Sequence, residues 1–528
     1  MNEEILKTIR EKGILLEKEI FDLVTNLNDS ATARVLLDNL EKASGQKIIT
    51  KSVLTKNVEY AQKIVGNLMG EQKQSVENVF VKLGISLEIR KESEIVNTQL
   101  KKEQKEHSYQ IFYADTKADK KLEVSDFTNN FRARYQQIQR MLMGRPEIAA
   151  KLTSINKISN DRQQISIIGM VKEKRITKNK NLIVTFEDLT GEIGGVIKMD
   201  REEIFKKANE LVLDDIVGIK ASGSREMLFV QDIVFPEAIL AEKAKFEDEI
   251  SAAFISDMHC GSGKHLEKSV ENFVDWLNSE DEIANKIKYL FIVGDNVDGV
   301  GIFPGQDKLL KLKSMGEQYK QLAGYLKRVP KRITMFMCPG QHDAVRVAEP
   351  QPIIGKKYAK ELYEIDNLVL VTNPTLVKLL EGKREFKILM YHGASIHGFI
   401  NAIPELRENK AHKSPAKAVK HMLKRRHLAP MHQEFVYIPN ADKDPLVISE
   451  VPDVLCTGEV HRLDVENYNN ILILTGSCWQ GQTDFEEKVG NIPDPCKVPI
   501  LNLKTRELKI LDFGDEEELE EKGGMTLK

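Results

Sequence analysis

The chain has 528 residues, 41% apolar and 30% charged, with five cysteines and a net charge of −3. That length exceeds one hydrophobic core, so several domains are expected, and no run of 18 apolar residues offers a membrane span. The opening Met1-Asn2-Glu3-Glu4-Ile5-Leu6-Lys7 lacks the basic-then-apolar pattern of a signal peptide, and the cysteines form no Cys-x-x-Cys pair. A cytoplasmic protein without a disulfide framework or structural zinc finger is expected.

Residues 1–75 read as a small helical domain. Ile5, Ile9, Ile14, Leu15 and Leu16 precede Ile20, Val24 and Leu27, and Asp29-Ser30 looks like a fresh helix start. Residues 76–160 are polar, with charge runs such as Lys101-Lys102-Glu103-Gln104-Lys105-Glu106, and read as a partly disordered linker holding a helix near 131–143. Across 161–242, short apolar runs at 164–171, 181–188, 194–198, 216–221 and 228–233 predict five strands with one helix before the fourth. That pattern suits an OB-fold β-barrel. Such barrels often stack single-stranded nucleic acid on aromatics. Here Phe186 and Phe229 fall at positions expected in the core, so packing is favoured over DNA binding. Residues 243–514 alternate apolar strands with helices, the signature of an α/β domain, and the acidic 515–528 reads as a mobile tail.

Only His107 of the eleven histidines precedes residue 250, so acid–base or metal chemistry is expected in the second half. Five polar motifs there follow predicted strands, where catalytic groups of α/β domains gather. They are Ser256-Asp257-Met258-His259, Gly294-Asp295-Asn296-Val297-Asp298, Pro339-Gly340-Gln341-His342-Asp343, Tyr391-His392-Gly393 and Thr457-Gly458-Glu459-Val460-His461. Each alone is weak; their order is the signal. An imidazole and carboxylate set without thiolate suits manganese, iron or zinc better than calcium or magnesium.

In that order the motifs resemble the calcineurin-like metallophosphoesterases, whose pattern is D-x-H, G-D-x-x-D, G-N-H-[DE], H and G-H-x-H. With the barrel and helical N-terminus, the chain resembles the small subunits of archaeal family D DNA polymerases, well over about 160–510 and by architecture before that. The resemblance implies a multidomain protein, with an α/β calcineurin-like metallophosphoesterase domain preceded by an OB-fold β-barrel and a small N-terminal helical domain. It implies two divalent metals, manganese first, with iron or zinc as alternatives. Asp257, His259 and His461 would bind the first metal, Asp295 would bridge, and Gln341 and His392 would bind the second. His342 would protonate the leaving oxygen, Asp343 would orient it, and Asp298 would support the ligands from behind. Two positions depart from the pattern: Gln341 replaces the usual Asn, and Glu459 replaces the first histidine of the fifth motif. Glu459 is the feature that puts the second metal site in question. The activity implied is 3′→5′ exonuclease proofreading on a DNA 3′ end. The polymerising centre would lie on a large partner subunit in a heterodimer. No clamp-binding motif stands out, so any sliding-clamp contact would run through the complex.

Lys413, Lys417, Lys420, Lys424, Arg425 and Arg426 form a basic stretch between the fourth and fifth motifs. Helical spacing from a start at Ser414-Pro415 puts Lys417, Lys420 and Lys424 on one face, which is read as a DNA backbone contact rather than a merely solvated surface. The nearby His421, His427 and His432 read as surface residues, and Trp479 as core. Two rival readings stand beside the exonuclease: an inert scaffold subunit, favoured by Glu459, and a phosphoesterase acting on small nucleotides. Metal content separates the first, and competition by single-stranded DNA the second.

Overall fold

The structure, a computed structural model, describes residues 15–17, 20–21, 48–49, 107–116 and 121–523. The chain divides into two compact units, Met1–Lys102 and Glu103–Lys528. In the first, Leu15–Leu16 pairs in parallel with Ile48–Ile49, a local departure from the expected helix. The rest of the predicted helical domain lies outside the described residues.

The second unit opens with strand β1 (His107–Tyr113), then β2 (Gln163–Ile176), β3 (Leu182–Glu187), β4 (Glu192–Ile197), β5 (Ile216–Ser224) and β6 (Met227–Val234). Strands β2 to β6 close into a barrel in the order β2-β3-β4-β6-β5. Their inward positions, among them Ile167, Val184, Phe186, Val217 and Leu228, form its core. Phe186 is buried as expected, but Phe229 is 42% exposed beneath the guanidinium of Arg162, so its assignment to the core was wrong.

The following strands are β7 (Ser251–Ile255), β8 (Ile287–Val293), β9 (Thr334–Cys338), β10 (Leu368–Leu370), β11 (Thr375–Glu381), β12 (Arg384–Met390), β13 (Val454–Thr457), β14 (Asp464–Tyr468), β15 (Ile471–Thr475), β16 (Lys497–Asn502) and β17 (Leu508–Asp512). They build two six-stranded sheets, ordered β10-β9-β8-β7-β16-β17 and β14-β15-β13-β12-β11-β1. The central strands read as unbroken apolar runs because both faces are covered. Phe254, Phe291 and Phe336 pack with Val377, Phe386 and Met390 of the other sheet. The alternate residues Ala253, Leu290 and Met335 pack with Phe273 of the helix Glu267–Leu277 and Leu322 of the helix Met315–Leu326. Neighbours β7, β8 and β9 run parallel, as do β12 and β13, so the carboxyl ends within each set point one way.

Two predicted segments need correction. The linker expected over 76–160 contains β1, which pairs along its whole length with β11, and the helix Val124–Met143. That helix is a strut. Arg134 donates to Asp444 at 2.7 Å and to the Pro430 carbonyl, while Tyr135 donates to the Ile168 carbonyl in the barrel. Its buried stripe, Ala133, Tyr135, Ile138 and Leu142, is hidden in the sequence by interleaved polar residues. The expected mobile tail forms the helix Glu516–Lys522, whose Glu518 carboxylate accepts from the backbone of Lys268 and Ser269 and so caps a neighbouring helix.

Burial pushes the Asp444 carboxyl up, but the charges and hydrogen bonds of Arg134 and His427 outweigh it and hold the group well below the usual carboxylate range. Its contribution to stability is therefore present above the unfolded-state pKa of about 4 and lost as pH falls through the folded value. Arg134→Ala, which strands Asp444 in the interior, should cost about 3 kcal/mol of unfolding free energy. Denaturant unfolding at neutral pH checks this, with a smaller difference expected in acid.

Candidate metal centre

All five motifs sit at carboxyl ends of central strands. Asp257 and His259 follow β7, Asp295 follows β8, Gln341 and His342 follow β9, His392 follows β12, and Glu459 and His461 follow β13. Side chains that leave a strand end must turn back to converge, and the backbone bears the cost. Asp257, His259, Asp295, Glu459 and His461 all adopt positive φ, between 45° and 74°. Left-handed backbone at non-glycine residues is uncommon and concentrates at functional sites. Glycines make room for the convergence. A Cβ at Gly340 would stand 2.1 Å from Asp295 Oδ1, and one at Gly458 would stand 2.4 Å from Asp257 Oδ2.

The side chains form two adjoining groups. In the first, His259 Nε2 faces His461 Nε2 at 3.0 Å, with Asp257 Oδ1 3.5 Å from His461 Nε2. Ligands bound about 2.1 Å from one ion stand about 3.0–3.4 Å apart, so these spacings fit a cation. The far nitrogen of each ring is held: His259 Nδ1 by Asp298 at 3.2 Å and His461 Nδ1 by Glu486 at 3.0 Å. Such outer hydrogen bonds fix which nitrogen faces the metal.

In the second group, His392 Nδ1–H donates to the Val293 carbonyl at 2.8 Å, which turns Nε2 toward the site. That Nε2 is 3.2 Å from both Asp295 Oδ2 and Glu459 Oε2, and 3.9 Å from Asp257 Oδ1, yet none of these contacts has hydrogen-bond geometry. Gln341 donates its amide to Glu459 Oε2 at 2.7 Å, leaving its own buried carbonyl oxygen without a partner. Buried polar atoms without partners are costly, and both of these are atoms able to ligate a metal. Burial lowers the His392 imidazole, but the Asp295, Glu459 and Asp257 charges raise it well above its ordinary range. The residues therefore fit divalent cations, and Glu459 stands within the second group rather than turned away.

His342 borders both groups. Its Nδ1–H donates to the Asp298 carbonyl at 2.7 Å, and its ring lies edge-on to His259. Asp343 does not orient it. Its buried carboxylate instead accepts from the backbone amides of Asn296 and Gly340, the Asn296 side chain and the Tyr319 hydroxyl, and so ties the second and third motif loops together. The sequence spacing suggested contact with the adjacent ring, but the turn sends neighbouring side chains to opposite sides.

The basic stretch is also corrected. Lys413 and Lys417 are exposed. Arg425 is buried against Asp215 of the barrel at 2.8 Å, Lys424 meets Glu210 at 2.5 Å, and Lys420 meets Glu466 at 3.3 Å. Arg426 donates to the Ile448 and Ser449 carbonyls. Val419, Met422 and Leu423 turn this end of the helix inward, so Lys424 and Arg425 bind the barrel segment while Lys420 and Arg426 are tied within the α/β domain. His427, expected at the surface, is buried against Asp444. Glu486 and Asn373, which accepts from the His392 amide, were not foreseen. Thr483-x-x-Glu486 is a readable capping box, but nothing local shows that its second carboxylate oxygen reaches His461.

Comparison with known proteins places the chain by class first. The family model for the B subunit of DNA polymerases alpha and epsilon matches residues 252–464. The DNA polymerase II small subunit of Methanothermobacter thermautotrophicus is 36% identical over 397 residues, 74% of this chain and 80% of that protein. That of Thermoplasma acidophilum is 32% identical over 415 residues, 77% of this chain and 81% of that protein. The chain belongs to the family of archaeal DNA polymerase II small subunits, the family D polymerases. The Pyrococcus furiosus small subunit is 37% identical over 402 residues, but the match spans only 64% of its length. A solved archaeal phosphodiesterase aligns with 50% of this chain and 99% of its own at 12% identity and a TM-score of 0.25, too loose a likeness to carry an argument. Among the described residues, no helix is long and apolar enough to cross a membrane.

Removing an outer hydrogen bond should weaken a metal site without removing a ligand. Glu486→Ala should lower manganese affinity of the first group by about 10- to 100-fold, with the second group unchanged. Calorimetric titration of the metal-stripped chain checks this.

Proposed function

We propose that this chain carries the two-metal 3′→5′ exodeoxyribonuclease of a heterodimeric replicative DNA polymerase and proofreads the DNA 3′ end. The observation that carries the reading is the convergence of five strand-end motifs, which brings His259 Nε2 within 3.0 Å of His461 Nε2 and leaves His392 Nε2 and the Gln341 carbonyl oxygen buried without hydrogen-bond partners. Asp257, His259 and His461 would hold one ion, His392, Gln341 and Glu459 the other, and Asp295 would join them. Manganese is the favoured metal, and bound ions would activate water and neutralise phosphate charge.

The chain's own groups do the rest. The Asp298 carbonyl fixes the His342 ring with Nδ1–H directed at it, which leaves Nε2 to carry the mobile proton. Burial lowers this imidazole, but Asp295 and the Asp298 carbonyl raise it above its ordinary range, which favours the protonated ring. His342 then gives that proton to the departing 3′ oxygen. Asp343 fixes the loop that carries His342, and Asp298 orients His259. The strand order of the barrel, with its helix between the third and fourth strands, supports an OB-type reading. The polymerising centre would lie on a large partner subunit, with the sliding clamp reached only through the complex.

The scaffold reading rests on Glu459. Its carboxylate lies 3.2 Å from His392 Nε2, a ligand's place, which favours an occupied second site. His342→Ala should reduce nucleotide release from a 3′-mismatched duplex with manganese by about 100-fold or more, with metal content unchanged. Equal rates would reject the assignment. Fewer than two metals in the wild-type chain would favour the scaffold.

A further inference from the structure

The loop 299–305, between the second motif and the helix Met315–Leu326, projects three large apolar side chains. Val300, Ile302 and Phe303 are 45%, 40% and 43% exposed. Their exposure is not slackness, because the backbone beneath them is fastened. The buried Gln318 accepts from the Gly299 amide at 2.9 Å and donates to its carbonyl at 3.0 Å. The buried Gln306 donates to the Asp298 carbonyl at 2.8 Å and accepts from the Ile302 amide at 2.9 Å. A loop held this firmly could have turned its apolar groups inward or done without them; instead it presents them to solvent.

The loop starts at the candidate acid. The same Asp298 carbonyl that takes Gln306 also fixes His342 Nδ1, and a Cβ on Gly299 would stand 2.6 Å from the His342 carbonyl. The loop is therefore rooted beside the residue proposed to protonate the leaving oxygen. In 3′→5′ hydrolysis that oxygen belongs to the strand left behind. The charge of the segment suits a polyanion: over 299–313, Lys308, Lys311 and Lys313 stand against Asp307 alone. Lys311 pairs with Glu267, while Lys308 and Lys313 are exposed and have no ion pair among the described residues.

We propose that Phe303, flanked by Val300 and Ile302, is the platform on which the unpaired base carrying the leaving 3′ oxygen packs. This rests on the exonuclease reading above. Aromatic platforms accept any base by its face, but only when that face is unstacked. Freeing a base takes least in a mismatched or single-stranded end. The loop thus makes hydrolysis selective for frayed ends without reading sequence.

The test uses the full-length chain and a single-stranded oligonucleotide with 2-aminopurine at the penultimate 3′ position, titrated in calcium so that binding is read without turnover. Wild type should change the fluorescence on binding. Phe303→Ala should weaken binding about five-fold or more, and Phe303→Trp should restore it. With manganese, Phe303→Ala should also lower the ratio of mismatched to paired 3′-end hydrolysis while leaving bis(p-nitrophenyl) phosphate hydrolysis intact, which shows a folded, metal-loaded site. Unchanged oligonucleotide affinity and an unchanged ratio would overturn the platform. So would normal DNA binding with weakened association to the polymerase large subunit, since the loop would then be a protein interface. If wild type hydrolyses neither DNA nor the small diester, the exonuclease reading falls, and the fluorescence titration still decides the platform.

Discussion

Asp257, Asp295 and Glu459 all lie within 3.9 Å of one imidazole nitrogen, that of His392, away from solvent. Carboxylates gathered this closely repel one another and lose hydration, so the arrangement is stable only if positive charge answers it. Everything nearby serves that constraint. The parallel strands of both sheets deliver their carboxyl ends to one place, and the loops twist into left-handed backbone to turn these side chains inward. The proposed ions would supply that charge, since an imidazole that binds a metal through its free nitrogen is neutral.

The same logic operates at a distance from the site. Arg134 answers Asp444, and Arg425 answers Asp215, both pairs being buried. Each joins segments far apart in the chain, one the strut helix to the α/β domain and the other the barrel to the basic helix. A buried pair of this kind adds little by attraction alone, but losing one partner leaves the other exposed to the low-dielectric interior. The barrel is thereby held in a defined place beside the two sheets.

Much of this was legible in the sequence because it is local. Apolar runs followed by Asp, His and Gly announced both the strands and the residues at their ends. Barrel strands were likewise announced by alternation, as with Leu182, Val184 and Phe186, all inward. What the sequence hid was long-range. Arg425 and Arg426 read as surface charge until Met422 and Leu423 fix which face of their helix is buried. Glu486 lies 25 residues from His461 and touches it only in the folded chain. The strand His107–Tyr113 reads as linker because its partner, Thr375–Glu381, comes more than 250 residues later. Pairing, not propensity, makes it a strand.

Gly340 and Gly458 have a different kind of importance. Neither can coordinate anything, and neither takes part in proton transfer. Yet any side chain at either position would drive into a carboxylate oxygen. A histidine at such a site can be exchanged for another polar group of similar reach at the expense of chemistry alone. Exchanging either glycine would push the loops apart and with them the strand ends. Within a lineage that abandoned hydrolysis and kept the subunit as a scaffold, the ligands would drift first and the glycines last. For tracing descent among such subunits the glycines are therefore the better record of shape, and the histidines the better record of use.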